Sequence, residues 1–150
     1  MPVTIENLPE TVIVNGTILH RKSSFHVSLL CVKDIVAGNG IEIEQKLLNV
    51  FCSFVGEHNI SLVSYLDEFR FAEDAERKTL VVRCTINGLK EFFSYIESSL
   101  GIVVLSQPTH VTLYTLQPNI GIGLNSLEAM ESKSTQVQVS AEVKKILGIN

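Results

Sequence analysis

The sequence predicts a single α+β domain, spanning residues 1–150 and built on antiparallel strands, and three observations lead to this prediction. A chain of 150 residues fits one ordinary domain and leaves little room for two. Its hydrophobic fraction of 45% and charged fraction of 19% are typical of globular proteins and exclude a disordered chain. Predicted strands outnumber predicted helices and mostly follow one another through tight turns, which favours antiparallel pairing.

The first third of the chain predicts three strands and a helix. Two β-rich runs in TVIVNGTILH flank Asn15-Gly16, and Asn-Gly between such runs is the strongest short signal for a hairpin. The run SSFHVSLLCV predicts a third strand, and Gly38-Asn39-Gly40 then interrupts the chain. Apolar residues recur at helical spacing after this break, so we expect a helix over about residues 41–58. Its stripe consists of Leu47, Leu48, Phe51, Phe54 and Val55.

The middle of the chain predicts a long hairpin followed by a second helix. Across residues 61–86, apolar residues alternate on both sides of the charged turn AEDAERK, as in two strands with one buried face. They are Val63, Tyr65, Phe69 and Phe71 before the turn, and Leu80, Val82, Cys84 and Ile86 after it. Asn87 is a residue type that caps helices, and the apolar stripe from Leu89 to Leu100 predicts the second helix.

The last third predicts a strand, a short helix and a mixed tail. The strand lies in PTHVTLYTL, and a loop with two glycines, PNIGIG, follows it. Asn125 with Glu128 three residues later resembles a capping box, which predicts a short helix. The tail TQVQVSAEVKKILGIN predicts a short strand and a final helical turn or two.

Charge and cysteine content exclude several classes of protein. A net charge of −4, with both signs scattered along the chain, argues against a duplex DNA partner but allows a small nucleotide or an RNA end. Cys31, Cys52 and Cys84 form no C-x-x-C pair, which excludes zinc-ribbon and thioredoxin-like sites and favours reduced thiols. No signal peptide and no apolar run of ~20 residues is visible. We therefore expect a cytoplasmic protein without a membrane partner.

One short element occurs twice in the chain. Phe25-His26-Val27-Ser28-Leu29 and Thr109-His110-Val111-Thr112-Leu113 share the order His, apolar, hydroxyl, apolar. For this composition, the probability that two of the four histidines fall in this context by chance is on the order of 0.5%. The repetition therefore indicates a shared role for the two segments.

The spacing within each segment predicts one functional face. Side chains alternate along a strand, so His26 and Ser28 share one face, and His110 and Thr112 do likewise. Two such strands side by side would surround a small cleft with two imidazoles and two hydroxyls. Displacement at phosphorus needs a base and an acid, and imidazole can serve as either near neutral pH. Hydroxyls can hold the phosphate oxygens on which charge develops.

The paired H-V-S-L and H-V-T-L segments resemble the duplicated motif of the two-histidine (2H) phosphoesterase superfamily, which includes the LigT-like cyclic phosphodiesterases. The resemblance implies a bilobal fold of two pseudo-symmetric α+β halves, in which antiparallel sheets with flanking helices each supply one motif strand. It also implies hydrolysis of a cyclic phosphodiester without metal or cofactor, most plausibly a nucleoside or RNA 2′,3′-cyclic phosphate. His26 and His110 would then be the catalytic residues, and Ser28 and Thr112 would bind the phosphate.

Three further residues are weaker candidates for substrate binding. Tyr114 is expected on the face of Thr112, where it could stack on a base, although packing is the commoner use of a strand tyrosine. Gly121 and Gly123 could offer backbone N–H groups to a phosphate or ribose, although turn geometry alone explains such a pair.

Three alternatives and several details stay open at this point. The alternatives are a non-catalytic nucleotide- or RNA-binding module of the same fold, a 2′–5′ or cyclic oligonucleotide phosphodiesterase, and an interaction domain with coincidental motifs. The sequence does not decide which histidine is the acid, whether the product is a 2′- or a 3′-phosphate, or the oligomeric state.

Overall fold

In the computed structural model, which describes residues 1–150, eight strands and five helices form an α+β fold with two antiparallel sheets. The strands are β1 (Pro2–Val3), β2 (Thr11–Val14), β3 (Thr17–Arg21), β4 (Phe25–His26), β5 (Ser61–Asp74), β6 (Arg77–Asn87), β7 (His110–Thr115) and β8 (Ser134–Val137). The helices are α1 (Val32–Asn39), α2 (Glu42–Glu57), α3 (Leu89–Leu100), α4 (Leu127–Lys133) and α5 (Ala141–Ile146). The predicted α+β class is confirmed.

The two sheets differ in size. The larger sheet has six strands in the order β2-β3-β7-β6-β5-β8, and β1 pairs with β4 in the smaller one. An antiparallel bridge between Val27, just after β4, and Val111 in β7 joins the small sheet to the large one. The division into six and two strands is unequal, and the two-lobed, pseudo-symmetric arrangement stays a prediction.

The N-terminal hairpin forms where Asn15-Gly16 predicts it. Both residues have positive φ, +49° at Asn15 and +74° at Gly16, as the two-residue turn of a twisted hairpin requires. Strand β3 continues beyond the hairpin to pair with β7 through His20 and Arg21. The Arg21 guanidinium donates to the Leu8 carbonyl oxygen at 2.6 Å, which fixes this strand end.

The main core covers one face of the large sheet. It includes Leu80 and Val82 of β6 together with Val27 and Val111, all fully buried. Val81 alternates with these β6 residues and belongs to a separate small cluster on the opposite face. That cluster consists of Ala72, Val81, Ile122, Leu124 and Met130. This small cluster covers only part of the opposite face of the sheet.

Helices α2 and α3 pack on each other through the stripes that the sequence predicts. Leu47, Val50 and Phe54 of α2 are buried with Phe92 and Ile96 of α3 in one apolar cluster. Both helices are confirmed within two residues of the predicted bounds.

Two helix starts differ from the prediction. Asn87 ends β6 instead of capping α3, and Gly88 precedes the helix with φ +78°. Helix α4 is capped by Ser126 rather than Asn125, because the Ser126 hydroxyl accepts the hydrogen bond from the Ala129 N–H at 3.0 Å.

The strand predicted in SSFHVSLLCV is shorter in the structure. Only Phe25 and His26 form β4, and the chain enters helix α1 at Val32. None of the residues of α1 is buried, although Ile35 packs partly against the apolar cluster of α2 and α3.

The alternation in β5 is broken by bulges. Register shifts occur between Leu62 and Ser64 and between Tyr65 and Phe69. Val63 is consequently 62% exposed, whereas Phe69 and Phe71 are buried as predicted.

Candidate functional site

The Val27–Val111 bridge sets the geometry of the two motifs. In antiparallel pairing, a bridge at these residues places His26 opposite Thr112 and Ser28 opposite His110. Both bridge valines are fully buried in the main core, so their neighbours in sequence project from the other face. The four motif side chains therefore form two cross-strand pairs on one side of the sheet.

A cleft of about 650 Å³ lies over these pairs, and all four side chains line it. The cleft also includes Lys22, Lys33, Asp34, Gln107, Asn119, Gly121, Gly123 and Asn125. The structure thus brings together every candidate residue from the sequence except Tyr114.

Tyr114 does not face the cleft, and the expectation that it could stack on a base there is wrong. Thr112 pairs with Val81 and Tyr114 pairs with Leu80, so Leu113 is an extra residue between them. This irregularity reverses the alternation and turns Tyr114 toward the core. Its side chain is fully buried, and its hydroxyl donates to the Pro9 carbonyl oxygen at 3.0 Å.

The loop with Gly121 and Gly123 forms one wall of the cleft. Ile122 and Leu124 anchor it in the small cluster, and the two glycines alternate with them and are exposed. Neither glycine N–H donates to another backbone group, so both are available to an anion or a sugar. The Asn119 side chain ties this loop to Ser23 by accepting from its N–H at 3.2 Å and its hydroxyl at 3.1 Å.

His110 is held in a defined tautomer. Its Nδ1 lies 2.8 Å from the Pro108 carbonyl oxygen, which can only accept, so Nδ1 carries the proton. Nε2 of the neutral ring therefore keeps its lone pair. Burial lowers the pKa of His110 below its usual value, and the positive charges of Arg83 and His26 lower it further. His110 is thus suited to act as a base near neutral pH.

His26 differs from His110 in its exposure. Its side chain is exposed, whereas the His110 ring is partly buried. The pKa of His26 is also lowered, first by partial burial and then by the positive charges of Lys22 and of the N-terminal ammonium group. Both rings line the cleft, and a positive charge on His26 disfavours protonation of His110.

Gln107 is a site residue that the sequence analysis missed. Its side chain is 8% exposed, and Nε2 donates to the Ser28 carbonyl oxygen at 2.8 Å. This bond fixes Ser28 of the first motif to the loop before the second motif. A single glutamine outside both motifs gives no signal in the sequence.

The charges of the cleft favour an anion of small size. Lys22 and Lys33 contribute two positive charges, and Asp34 accepts a hydrogen bond from Asn125 Nδ2 at 2.5 Å. No group of three or more His, Cys, Asp or Glu side chains comes together in a form that could hold a metal ion. No helix is both long and apolar enough to cross a membrane.

Comparison with protein-family models, with curated proteins and with solved structures finds no match to this chain. The two motifs and the cleft that they share are therefore the features that point to a function.

Proposed function

We propose that this protein is a metal-independent phosphodiesterase of the two-histidine type that hydrolyses a cyclic phosphodiester. The substrate class is a nucleoside 2′,3′-cyclic phosphate or an RNA end that carries this group. One observation supports the proposal above all others: two segments 84 residues apart put matched histidine and hydroxyl pairs on the same cleft. The two-lobed architecture of that superfamily is part of the same proposal.

The two histidines divide the proton transfers of the reaction between them. His110 Nε2 takes a proton from water while the water oxygen forms a bond to phosphorus. The bond from phosphorus to one ribose oxygen breaks, and His26 in its protonated form donates a proton to that oxygen. We assign the acid role to His26 because the more exposed ring is easier to protonate. The product is a nucleoside monophosphate.

The remaining groups of the cleft stabilise the phosphate. Ser28 and Thr112 hydroxyls donate to its non-bridging oxygens, and the Lys22 ammonium offsets their charge. The free N–H groups of Gly121 and Gly123 lie on the same cleft and are additional donors. A phosphodiester has one negative charge, which this set can match without a metal ion.

Turnover of defined substrates tests the proposal. Nucleoside 2′,3′-cyclic phosphates, RNA with a cyclic-phosphate end, ADP-ribose cyclic phosphate and 2′–5′-linked oligonucleotides are each incubated with the protein and EDTA, and products are followed by phosphorus NMR. We expect a monophosphate from the first two. Strict dependence on an added metal contradicts the mechanism, and turnover of the 2′–5′ linkage alone contradicts the substrate class. Binding without product would make the protein a nucleotide-binding module.

Removing either hydroxyl should weaken phosphate stabilisation without stopping proton transfer. We expect Ser28→Ala and Thr112→Val each to lower kcat by about tenfold or more, as for other oxyanion donors. Steady-state kinetics measures the loss. Ser98→Ala is the control, because this exposed hydroxyl bonds to the Tyr95 carbonyl oxygen within α3 and does not line the cleft. A loss no larger than that of Ser98→Ala would argue against the assigned role.

The pH dependence of kcat/KM should follow the two histidines. Because the pKa values of His26 and His110 are both lowered, we expect a bell-shaped profile centred below about pH 6.5. The acidic limb reports protonation of the base, and the alkaline limb reports loss of the acid proton. Lys22→Gln removes a charge that lowers the pKa of His26, so the alkaline limb should move to higher pH. Lys33→Gln should move that limb less, and equal shifts would contradict the assignment of His26 as the acid.

A further inference from the structure

A second cavity, of about 410 Å³, opens beside the cleft and shares His26 and Ser28 with it. We call it the side groove. It lies between the chain after β4 and helix α2, and α2 contributes Glu44, Leu47, Leu48 and Phe51 to it. These four residues have the i, i+3, i+4, i+7 spacing of one helix face. A ligand whose phosphate lies in the cleft can therefore extend into the side groove.

The wall of the side groove is apolar and is not fully covered by the protein. Leu48 is 54% exposed, and the Phe51 ring is half-buried next to the buried Phe92 ring, with 5.6 Å between the ring centroids. Aromatic and aliphatic side chains of this kind form the surface on which flat ligand groups pack.

The charges of the side groove differ from those of the cleft. No lysine or arginine lines it, whereas Lys22 and Lys33 line the cleft. Met1 also lines the side groove, and its N-terminal ammonium donates to the Val27 carbonyl oxygen at 2.9 Å. The only acidic group of the side groove is the exposed Glu44 carboxylate, which forms no ion pair within the protein. A second phosphate would be repelled by this carboxylate, so the side groove suits an uncharged, flat group with hydrogen-bond donors at its edge.

We propose that the side groove binds the base of the nucleotide and that Glu44 selects bases by their N–H donors; this rests on the proposed function. A carboxylate only accepts hydrogen bonds. Guanine presents two adjacent donors, N1–H and the 2-amino group, and can bind a carboxylate in bidentate fashion. Adenine and cytosine present one amino group beside an acceptor nitrogen. Uracil presents a single N–H between two carbonyl oxygens that repel a carboxylate. The order of preference is therefore guanine, then adenine and cytosine, then uracil.

The experiment compares the four nucleoside 2′,3′-cyclic phosphates by kcat/KM and the corresponding monophosphates by calorimetric Kd. We expect the wild-type protein to favour guanosine over uridine by roughly 10- to 100-fold in both measurements, as for a bidentate base contact. Glu44→Gln, whose amide both donates and accepts, should reduce this ratio to within about threefold. Glu42→Gln is the matched control: it removes the same charge from the same helix turn, but Glu42 does not line the side groove. It should leave the ratio unchanged.

The outcomes separate this inference from the proposed function. Turnover without base preference, or equal effects of Glu44→Gln and Glu42→Gln, overturns the role of Glu44 and leaves the phosphodiesterase proposal standing. A guanosine preference in Kd that Glu44→Gln removes, with no turnover of any substrate, supports the side groove and overturns the enzyme. If no nucleotide binds, both are wrong.

Discussion

Replacement of His26 or His110 by alanine is expected to lower kcat/KM for the cyclic phosphate by about 10²- to 10⁴-fold each, the usual contribution of a general acid or base. Each variant removes one of the two proton transfers that the proposed reaction needs. The fold should survive both changes. His26 is exposed, and His110 loses only the hydrogen bond to the Pro108 carbonyl oxygen.

The control for these variants is His20→Ala. His20 is exposed on β3 and does not line the cleft. The activity of the His20→Ala variant should therefore equal that of the wild type. Thermal unfolding followed by circular dichroism shows whether each variant is folded. The kcat/KM of the double variant His26→Ala/His110→Ala should be only slightly lower than that of the less active single variant, because the two groups act as a unit. A loss below about tenfold in a folded single variant would contradict the assigned roles.

The largest expected effect on stability is that of Gly88→Ala at the start of α3. Gly88 has φ +78°, and a Cβ there would overlap with the Asn59 carbonyl oxygen, which belongs to the backbone and cannot rotate away. The conformational strain and the overlap together should lower the free energy of unfolding by about 2–5 kcal/mol. Urea denaturation measures this change.

Gly101→Ala separates the two causes. Gly101 follows the same helix with φ +69°, but a Cβ there meets no atom within 4 Å. This variant should therefore cost only the backbone strain, about 1–2 kcal/mol. If both variants lower the free energy of unfolding by the same amount, the overlap with Asn59 does not contribute to the effect of Gly88→Ala.

The elements that sequence reasoning predicted well are those with a physical period or a specific turn. Helices α2 and α3 bury one stripe each, and the Asn15-Gly16 hairpin depends on two residues that tolerate positive φ. The motif histidines were found for the same reason, because period two places each of them on a face with its hydroxyl partner. These features depend on residues close together in the chain, so they can be predicted from the sequence alone.

The features that sequence reasoning missed depend on contacts between distant segments. Helix α1 buries none of its residues fully, and Ile35 packs partly against the cluster of α2 and α3, whose residues come later in the chain. Tyr114 faces the core because of an irregularity in its pairing with β6, which no pattern within β7 reveals. Gln107 matters because it reaches Ser28, 79 residues earlier in the chain. Strict alternation and motif spacing cannot anticipate such contacts.

The position of β7 between β3 and β6 also has a consequence for synthesis of the chain. The ribosome synthesises β3 and β6 before β7. Until β7 is made, β3 and β6 each have one edge whose N–H and C=O groups are unpaired. The 22 residues between Asn87 and His110 take roughly 1–5 s to translate at ~5–20 residues per second. During that interval the nascent chain exposes the apolar face that β7 later completes, and it is then open to aggregation and to capture by chaperones. The two motif segments, and the cleft that lies over them, therefore come together only after β7 has left the exit tunnel.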